Sequence, residues 1–513
     1  MVNHPNTYRC ILKIIKEQTE SKKSPQDYGS SRKCKICGNR LSSYNPTDQC
    51  FCHHGGRKKS KLPKVFPFKP AFLPRGFFRK IFGIRQKSLY NKTTMKFQAP
   101  KGTRDFLLAP ARLRKNIINT LENVYSLYGF EPWDGPAFEY LNLLTKKSGE
   151  AVKKEIYVFS DKAGRKLGLR FELTASLARI IAQNPSLAKP LKLYNIGKVW
   201  RYERPQSGRY REFIQADVDI LGVSEVTAEI ELLGLAKTVL EKLGFSRYQI
   251  ILSDRQIVSK LLSYFNLPKQ DFVLRTLDKL SKIGQKETLK ELVENNIPPK
   301  KAQTLIQFLT QKENNQAKLR QTETLLGQKK DIKQALERLK QISRLIPEVI
   351  IDFSLVRGLD YYTSTIFEIK LLQQETGSIA GGGRYDNLVA DFGGTPTAAC
   401  GLSFGVERIY EIKRREKYLD FPTSKVFVAY PSAAMLGEAL KIAQKFRQAG
   451  INTDLNLQEK NLTQQLKYAD SKKIPYLFIV FSPQETKLKN MATGKEEILT
   501  LEQAIKKLTG ELA

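Results

Sequence analysis

Apolar residues recur at helical spacing in the stretch that follows residue 109. The pattern predicts a helix from Pro110 to Tyr128, with Gly129 as the residue that ends it. Four apolar residues, three or four positions apart, share one face of this predicted helix: Leu113, Ile117, Leu121 and Val124. From about residue 95 onward, helix-like and strand-like segments alternate regularly.

Short apolar and β-branched runs predict strands on both sides of a long central stretch. The strands expected before it are Glu155–Ser160, Leu167–Phe171, Leu191–Tyr202 and Gln215–Leu221. The strands expected after it are Val349–Phe353, Thr365–Lys370 and the glycine-rich run at 380–389. Between about 224 and 348 the pattern is largely helical.

The last region, from about Lys425 to Ala513, repeats a strand-then-helix order. KVFVAYP is followed by a predicted helix at Ala433–Ala449, then by NTDLNL, a helix from Thr463 and PYLFIVF. This order argues for a small, separate α/β domain.

The charge of the chain favours a polyanionic partner such as nucleic acid. Its 513 residues include 86 Lys and Arg against 51 Asp and Glu, a formal net charge of +35. Residues 1–94 carry 21 basic against 4 acidic residues and resemble a separate attachment. No apolar run is long enough for a membrane span, and no secretory signal is recognisable, so we expect a cytoplasmic protein.

Four arginines lie within eleven residues of the stretch RYERPQSGRYREFIQADVDILG, which begins at Arg201. Apolar and aromatic residues on both sides of a central Pro-Gln-Ser-Gly predict two strands joined by a loop. Such a hairpin can bring several guanidinium groups onto one face as a phosphate clamp. The alternative is a charged hairpin that is simply solvated.

Six segments in a fixed order resemble the histidyl-tRNA synthetases, a branch of the class II aminoacyl-tRNA synthetases. RYERPQSGRYREF is similar to motif 2 of that class, GLSFGVER at 401–408 to motif 3, and GFEPWDGP with Pro136 to motif 1. RGLDYYTSTIFE at 357–368 and AGGGRYDNLV at 380–389 resemble the histidine-specific motifs, and LRFELT at 169–174 the strand that binds the amino group.

The resemblance implies an α+β protein. Its four regions are a first catalytic part (95–223), a helical insertion (224–348), a second catalytic part (349–420) and a C-terminal α/β anticodon-binding domain (421–513). The basic extension (1–94), for which a zinc knuckle or ribbon is expected from its cysteines alone, lies outside the resemblance as a fifth part. The catalytic domain is expected to be an antiparallel sheet flanked by helices. A homodimer is the expected assembly.

The implied reaction is ATP-dependent ligation of L-histidine to tRNA(His) through a histidyl-adenylate. Because the attacking carboxylate is already anionic, the first step needs charge neutralisation and alignment rather than a general base. All three histidines of the chain, His4, His53 and His54, lie in the extension, so a histidine relay is excluded from the main part. Arginine and Mg²⁺ remain as the charge-neutralising groups.

Residues are carried over from the family motifs one at a time. Arg357 and Arg201 correspond to the catalytic arginines, Arg357 bridging the amino-acid carboxylate and the α-phosphate. The expected ATP-binding residues are Arg201, Glu203, Arg209, Arg211, Phe213, Glu407 and Arg408, with Phe213 stacked on adenine. For Glu203 and Glu407 two readings stay open, namely holding magnesium or only orienting an arginine.

The histidine substrate is matched by a second set of residues. The residues that correspond to the imidazole contacts are Asp219, Tyr362 and Tyr385. The residues that correspond to positions around the α-amino and carboxylate groups are Glu172, Thr174, Gln215 and Arg357. Tyr361 also belongs to the histidine-binding set. Asp219 is shorter than the glutamate of many bacterial members, which alters the contact geometry. Arg204 and Gln206 lie in the loop that meets the tRNA acceptor end.

The extension contains a cysteine pattern that lies outside the family resemblance. Cys34-x-x-Cys37 and Cys50-x-Cys52, followed by His53, have the spacing of a small Zn²⁺ site. Reduced bystander cysteines and a redox pair are the alternatives. The basic and aromatic tail from Val65 to Tyr90 suits RNA, an acidic membrane surface or a solvated linker.

Two other functions compete with ligation. One is a catalytically idle paralogue that acts as a regulatory subunit in histidine biosynthesis, and the other is an RNA-binding protein that keeps only the scaffold. Such relatives tend to lose the RGLDYY segment, the C-terminal domain or the phosphate arginines. This chain keeps Arg201, Arg357 and Arg408.

Overall fold

A computed structural model describes residues 97–510, apart from short gaps at 148, 206–207, 328, 357–360, 373–376, 417–421 and 459. The predictions for the extension, including the zinc site at 34–53, therefore lie outside the described residues. So do the predictions for Arg357 and Gln206.

The first helix, α1 (Leu108–Leu127), confirms the predicted helix to within two residues at each end. Its four predicted core residues are all buried, together with Tyr125. Gly129 follows with φ +73°, a left-handed conformation that a helix end often needs and that glycine adopts without strain. The amphipathic pattern thus located both the helix and its buried face.

Eleven strands precede residue 417 in the described part of the chain. They are β1 (Glu131–Pro132), β2 (Phe138–Tyr140), β3 (Val158–Ser160), β4 (Lys166–Leu169), β5 (Leu191–Trp200), β6 (Glu212–Leu221), β7 (Tyr248–Asp254), β8 (Val349–Ile351), β9 (Thr365–Leu371), β10 (Ser378–Arg384) and β11 (Ala399–Gly405). Strands β5 and β6 pair antiparallel over their full length, which confirms the predicted hairpin of the arginine-rich stretch.

The main sheet has the order β1-β5-β6-β11-β10-β9-β7-β8. Its six central strands are antiparallel, but β1 pairs parallel to β5 and β8 pairs parallel to β7. The sheet is therefore mixed, and the expectation of an antiparallel sheet holds only for its centre. A smaller antiparallel sheet has the order β2-β4-β3, and its strands fall between β1 and β5 in the sequence.

The helices between residues 141 and 415 follow in chain order. They are α2 (Leu141–Thr145), α3 (Glu150–Lys153), α4 (Thr174–Gln183), α5 (Thr227–Lys242), α6 (Arg255–Tyr264), α7 (Gln270–Leu277), α8 (Leu280–Glu294), α9 (Pro299–Thr310), α10 (Asn315–Leu326), α11 (Lys330–Leu345), α12 (Leu388–Asp391) and α13 (Val406–Arg415). The stretch predicted as largely helical also contains strand β7, which belongs to the main sheet.

Helices α1, α5 and α13 pack together behind the centre of the main sheet and contribute to one large apolar core. Strand β6 shows how the two faces of the sheet differ. Ile214, Ala216, Val218 and Ile220 belong to the core, whereas the residues between them point to the opposite face. That opposite face carries the cavity described below.

Glycines let the central strands approach one another on the cavity side. A Cβ at Gly382 would lie 1.9 Å from the carbonyl oxygen of Gly401, and one at Gly401 would lie 2.1 Å from Oδ1 of Asp219. Neither contact is possible for a real side chain, so the sheet and the acidic residue beside it require glycine at both positions.

The C-terminal part forms a second sheet of five strands. These are β12 (Val426–Ala429), β13 (Thr453–Leu455), β14 (Tyr476–Val480), β15 (Thr486–Asn490) and β16 (Glu496–Ile498), in the order β13-β12-β14-β15-β16. Its helices are α14 (Leu436–Gln448), α15 (Leu462–Ser471) and α16 (Leu501–Gly510). The first three strands are parallel, which confirms the predicted α/β unit. The antiparallel strands β15 and β16 were not predicted.

No helix among residues 97–510, gaps aside, is both long and apolar enough to span a membrane.

Candidate functional site

A cavity of about 1000 Å³ lies on the face of the main sheet that α1, α5 and α13 leave open. The sheet brings into it residues from segments that are distant in sequence. The predicted site residues that line it are Glu172, Thr174, Arg201, Glu203, Arg209, Phe213, Gln215, Asp219, Tyr361, Tyr362, Tyr385, Glu407 and Arg408. Arg201 and Arg408 therefore share one cavity, as a phosphate site requires.

One end of the cavity is acidic, and its floor is strand β6. Alternate residues Gln215, Asp217 and Asp219 face the cavity because side chains on a strand alternate between its two faces. Each has a buried oxygen that accepts no hydrogen bond from a described residue, namely Oε1 of Gln215, Oδ1 of Asp217 and Oδ2 of Asp219. Buried acceptors are normally paired, so these three oxygens are able to accept hydrogen bonds from a ligand.

Asp219 is held by one tyrosine on one side only. The hydroxyl of Tyr385 donates to its Oδ1 at 2.6 Å. Burial, opposed by this hydrogen bond and aided by the charge of Glu172, raises the pKa of Asp219 to about 7. Its free oxygen and its near-neutral pKa suit it to accept a hydrogen bond from an imidazole N–H.

Glu172 lies just before helix α4, and each of its carboxylate oxygens accepts one hydrogen bond. Its Oε1 accepts from the backbone N–H of Ala175 at 2.9 Å, and its Oε2 accepts from the hydroxyl of Tyr361 at 3.0 Å. The first bond satisfies a backbone donor that the helix itself leaves unpaired. Burial raises the pKa of Glu172, while both hydrogen bonds lower it. Thr174, at the start of the same helix, is also buried.

Three tyrosines form the aromatic wall of this end. The ring of Tyr361 lies 4.9 Å from that of Tyr362 and 5.8 Å from that of Tyr385, centroid to centroid. Tyr362 and Tyr385 are buried. A flat ligand such as imidazole fits a wall that is apolar on its faces and has hydroxyls at its edge.

The other end of the cavity is cationic. The Nε of Arg201 donates to the carbonyl of Phe171 at 2.9 Å, and Arg408 donates to the carbonyl of Ser378. Nη1 of Arg209 lies 3.4 Å from a carboxylate oxygen of Glu203. A guanidinium group has five N–H donors, so Arg201, whose Nε is engaged by Phe171, has others to offer a phosphate.

Phe213 lines the cavity beside Arg201. The guanidinium carbon of Arg201 lies 5.1 Å from the centroid of its ring. The ring therefore offers a stacking surface for a flat base, with a cation beside it where the phosphates would begin.

Two arginines of the motif 2 stretch do not line the cavity. Arg211 stacks over the ring of Tyr202 at 3.9 Å and donates to the carbonyl of Glu203 at 3.1 Å. Arg204 is exposed. The structure places Val356, the residue before Arg357, in the cavity wall.

Glu407 is engaged on both carboxylate oxygens. Nη2 of Arg114 donates to its Oε1 at 2.5 Å, and the backbone N–H of Ile214 donates to its Oε2 at 2.7 Å. This arrangement favours the arginine-orienting alternative over magnesium binding for Glu407. Among the described residues no group of three or more His, Cys, Asp or Glu side chains is placed to hold a metal ion.

Magnesium does not require such a group, because it commonly binds one or two carboxylates together with substrate phosphates. Glu203 fits that role, since it lies on the cavity wall next to Arg209 and its contact with that arginine is long.

Several lining residues were not predicted from the sequence. Asp217 and Ser403 line the acidic end. Asp217 could have been predicted, because it lies two residues from both Gln215 and Asp219 on one strand and so shares their face. Asp278, Ser281 and Lys282 reach the cavity from the helical region near α7 and α8, and no local pattern marks them.

The arrangement matches known proteins over most of the chain. A family model described as histidyl-tRNA synthetase matches residues 102–409, and a model described as anticodon binding domain matches residues 425–511. The first hundred residues lie outside both matches.

Individual relatives agree with these models. A histidine–tRNA ligase of Aeropyrum pernix is 35% identical over 421 residues, 79% of this chain and 96% of that protein. One of Rhodopirellula baltica is 37% identical over 385 residues, 72% of this chain and 87% of that protein. The crystal structure of histidyl-tRNA synthetase from Nostoc sp. PCC 7120 superposes with a TM-score of 0.71 at 25% identity, covering 80% of this chain and 99% of that one. With its class II catalytic domain and C-terminal anticodon-binding domain, the chain belongs to the histidyl-tRNA synthetase family.

Proposed function

We propose that the protein is a histidine–tRNA ligase that joins L-histidine to tRNA(His) in two steps within the cavity. In the first step, a carboxylate oxygen of histidine attacks the α-phosphorus of ATP, and the bond to the bridging oxygen breaks to release pyrophosphate. In the second, a hydroxyl of the terminal ribose attacks the acyl carbon and releases AMP. One observation carries this function: an acidic, aromatic end and an arginine-lined end lie in the same cavity.

The arginines bring two anions together. Arg201 contacts the α-phosphate and Arg408 the γ-phosphate, while Phe213 stacks on the adenine. Arg357 bridges the carboxylate and the α-phosphate, and Val356 beside it lines the cavity. Electrostatic alignment of this kind accelerates phosphoryl attack without a proton-transferring side chain. Mg²⁺, when bound through the ATP phosphates and Glu203, supplies further charge neutralisation.

The acidic end selects histidine. Asp219 accepts from one imidazole nitrogen, and the tyrosines Tyr362 and Tyr385 enclose the ring. An amino acid without a matching donor leaves the buried oxygen of Asp219 unpaired, and such penalties can reach a factor of about 10⁴. Glu172, Thr174 and Gln215 surround the α-amino and carboxylate groups.

Transfer requires tRNA, and two regions are proposed to contact it. The C-terminal domain binds the anticodon, as the matched family model suggests. Arg204 and Gln206, in the loop between β5 and β6, meet the acceptor end, and Arg204 is exposed as such a contact requires. If Gln206→Ala leaves both tRNA charging and adenylate formation normal, its part in this contact is excluded.

A homodimer is proposed as the working assembly. Large apolar side chains are exposed on the small sheet, among them Phe138 at 49%, Tyr140 at 52% and Val158 at 50% of their full accessible area. Exposed apolar groups gathered on one small sheet commonly mark a protein interface. Sedimentation velocity tests the proposal, since a monomer at micromolar concentration would exclude it.

The extension is proposed to bind Zn²⁺ through Cys34, Cys37, Cys50 and Cys52 or His53. Metal analysis of the full chain, compared with a Cys34→Ser, Cys37→Ser variant, tests this, and absence of stoichiometric zinc rejects it.

A cytoplasmic location is proposed for the protein and is tested by cell fractionation.

The ligase function is tested by ATP–pyrophosphate exchange with each of the twenty amino acids. Exchange with histidine alone is expected. Exchange with another amino acid would replace the assignment, and exchange with none would favour the idle regulatory subunit. Charging of a tRNA(His) transcript then tests the second step.

A further inference from the structure

The acidic end holds one more carboxylate than the expected imidazole and amino-group contacts account for. Asp217 is 3% exposed, lies between Gln215 and Asp219 on strand β6 and lines the cavity with both. Residues two apart on a strand have Cα atoms separated by about 7 Å, so these two carboxylates occupy neighbouring places along one ligand-facing row.

The residue that hydrogen-bonds to the carboxylate of Asp217 is neutral. Ser403 pairs with it across strands β6 and β11 and is a hydrogen-bond partner of its carboxylate. Nε2 of Gln215 donates to the hydroxyl oxygen of Ser403 at 2.9 Å, so the hydroxyl hydrogen remains free for Asp217. The same bond turns Oε1 of Gln215 toward the cavity, where no described residue donates to it.

Neither Asp217 nor Asp219 forms an ion pair with a residue that the structure describes. Burial, and the charge of Asp219 next to it, raise the pKa of Asp217 well above its usual value. A buried carboxylate without a cation is costly, and two such groups side by side repel each other. The charge of Arg201 lowers the pKa of Asp217 only in part. The row therefore has no described cation in contact with it until a ligand provides one.

The substrate provides that charge through only one group. Its carboxylate belongs with the arginines, and its imidazole lies against Asp219 and Tyr385. The α-ammonium group remains, with three N–H donors that need three acceptors. Both oxygens of Glu172 already accept hydrogen bonds, whereas Oε1 of Gln215 and Oδ1 of Asp217 accept none from described residues.

We infer that Asp217 is a further substrate-binding residue, whose Oδ1 accepts a hydrogen bond from the α-ammonium group of histidine and so selects the amino acid over its deaminated analogue. This inference rests on the proposed function and deepens it. Ser403 acts as a positioning residue, because its hydroxyl orients the carboxylate of Asp217 and fixes the amide of Gln215.

The test compares two ligands on three proteins. L-Histidine and 3-(imidazol-4-yl)propionate, which lacks only the α-amino group, are titrated calorimetrically into the wild-type chain, Asp217→Asn and the matched control Asp219→Asn. Asp217→Asn is expected to weaken histidine binding roughly 10- to 100-fold, the loss of a charged hydrogen bond, and to change binding of the analogue less than about twofold. Asp219→Asn is expected to weaken both ligands.

Each other outcome has a definite meaning. Equal weakening of both ligands by Asp217→Asn, or weakening of neither, overturns the inference. If the wild-type chain itself binds no histidine, the proposed function fails instead. Should Asp217→Asn not fold, Ser403→Ala provides the second variant: a smaller loss for histidine alone supports the inference, and an equal effect on both ligands overturns it.

Discussion

The two ends of the cavity hold their charges in different ways. At the cationic end, Arg201 and Arg408 each donate a hydrogen bond to a backbone carbonyl. At the acidic end, Asp217 and Asp219 are buried on a rigid strand with an oxygen each that no described residue satisfies. The cationic end thus consists of long side chains anchored to carbonyls, whereas the acidic end consists of short side chains fixed on a strand.

The difference indicates that one end of the cavity selects the substrate and the other stabilises the transition state. Free energy stored as unpaired buried oxygens is released only when a ligand supplies matching donors, so the acidic end serves selection. Long guanidinium side chains that stay charged at all relevant pH values serve the transition state, where charge develops on the phosphate. The following experiments separate the two roles.

The largest effect is expected at the cationic end. Arg201→Ala should lower the rate of ATP–pyrophosphate exchange roughly 10²- to 10³-fold, because a preorganised donor to the α-phosphate is lost. Arg201→Lys should recover only part of it, since an ammonium group cannot make two parallel hydrogen bonds. Histidine binding measured without ATP should stay close to wild type. A loss below about threefold would remove Arg201 from catalysis.

At the acidic end, Asp219→Asn should act on histidine rather than on ATP. Loss of the charged acceptor is expected to raise the KM for histidine roughly 10- to 100-fold. The KM for ATP should change little, because the phosphate arginines remain. The exchange assay, run with each substrate varied in turn, makes this measurement. An equal rise in both KM values would show that the two ends are not separate.

The acidic end also predicts a pH dependence. Burial raises the pKa of Asp219 to about 7, and the ionised form is the one that accepts from the substrate. The kcat/KM for histidine should therefore fall as the pH drops below about 7, approaching tenfold per pH unit, and level off above it. The imidazole of free histidine titrates nearby, at about 6.5.

Asp219→Asn separates the two titrations, because the variant keeps only that of the substrate. If the pH profile of the variant is identical to that of the wild type, Asp219 does not set the profile.

The smallest effect is expected from Glu407, which lines the cavity and contacts Arg114 and the backbone of Ile214. Glu407→Gln removes the charge beside Arg114 but keeps an acceptor for the N–H of Ile214. The free energy of unfolding should fall by about 1–3 kcal/mol, with a modest rise in the KM for ATP. Thermal unfolding and exchange at varied Mg²⁺ check this. An unchanged melting temperature with a large rise in the Mg²⁺ requirement would instead make Glu407 a magnesium ligand.

Local sequence patterns predicted the positions of helices and strands better than they predicted which strands pair in the sheet. The spacing of apolar residues predicted helix α1 nearly to its ends, and β5 and β6 were visible as a hairpin. The order of the main sheet was not readable, because its strands pair across long stretches of chain. Strand β7 was hidden as a short apolar run between helices.

The site shows the same limit. Motifs placed the residues that line both ends, but the residue next to Glu407 in space, Arg114, is 293 positions away. The position of Asp217 was predictable, since it alternates with Gln215 and Asp219 along one strand, but the family motifs assign it no role. Strands β15 and β16 were missed because their lysine- and glutamate-rich pattern, TKLKN and EEI, is atypical of strands.

The glycines of β10 and β11 have a practical consequence for redesign. Gly381, Gly382 and Gly401 line the cavity with bare main chain, which no substitution can trim further, and a Cβ at Gly382 or Gly401 would collide with its neighbours. A pocket enlarged for an N-methylated histidine must therefore gain its room from the aromatic wall, by shortening Tyr362, rather than from the floor.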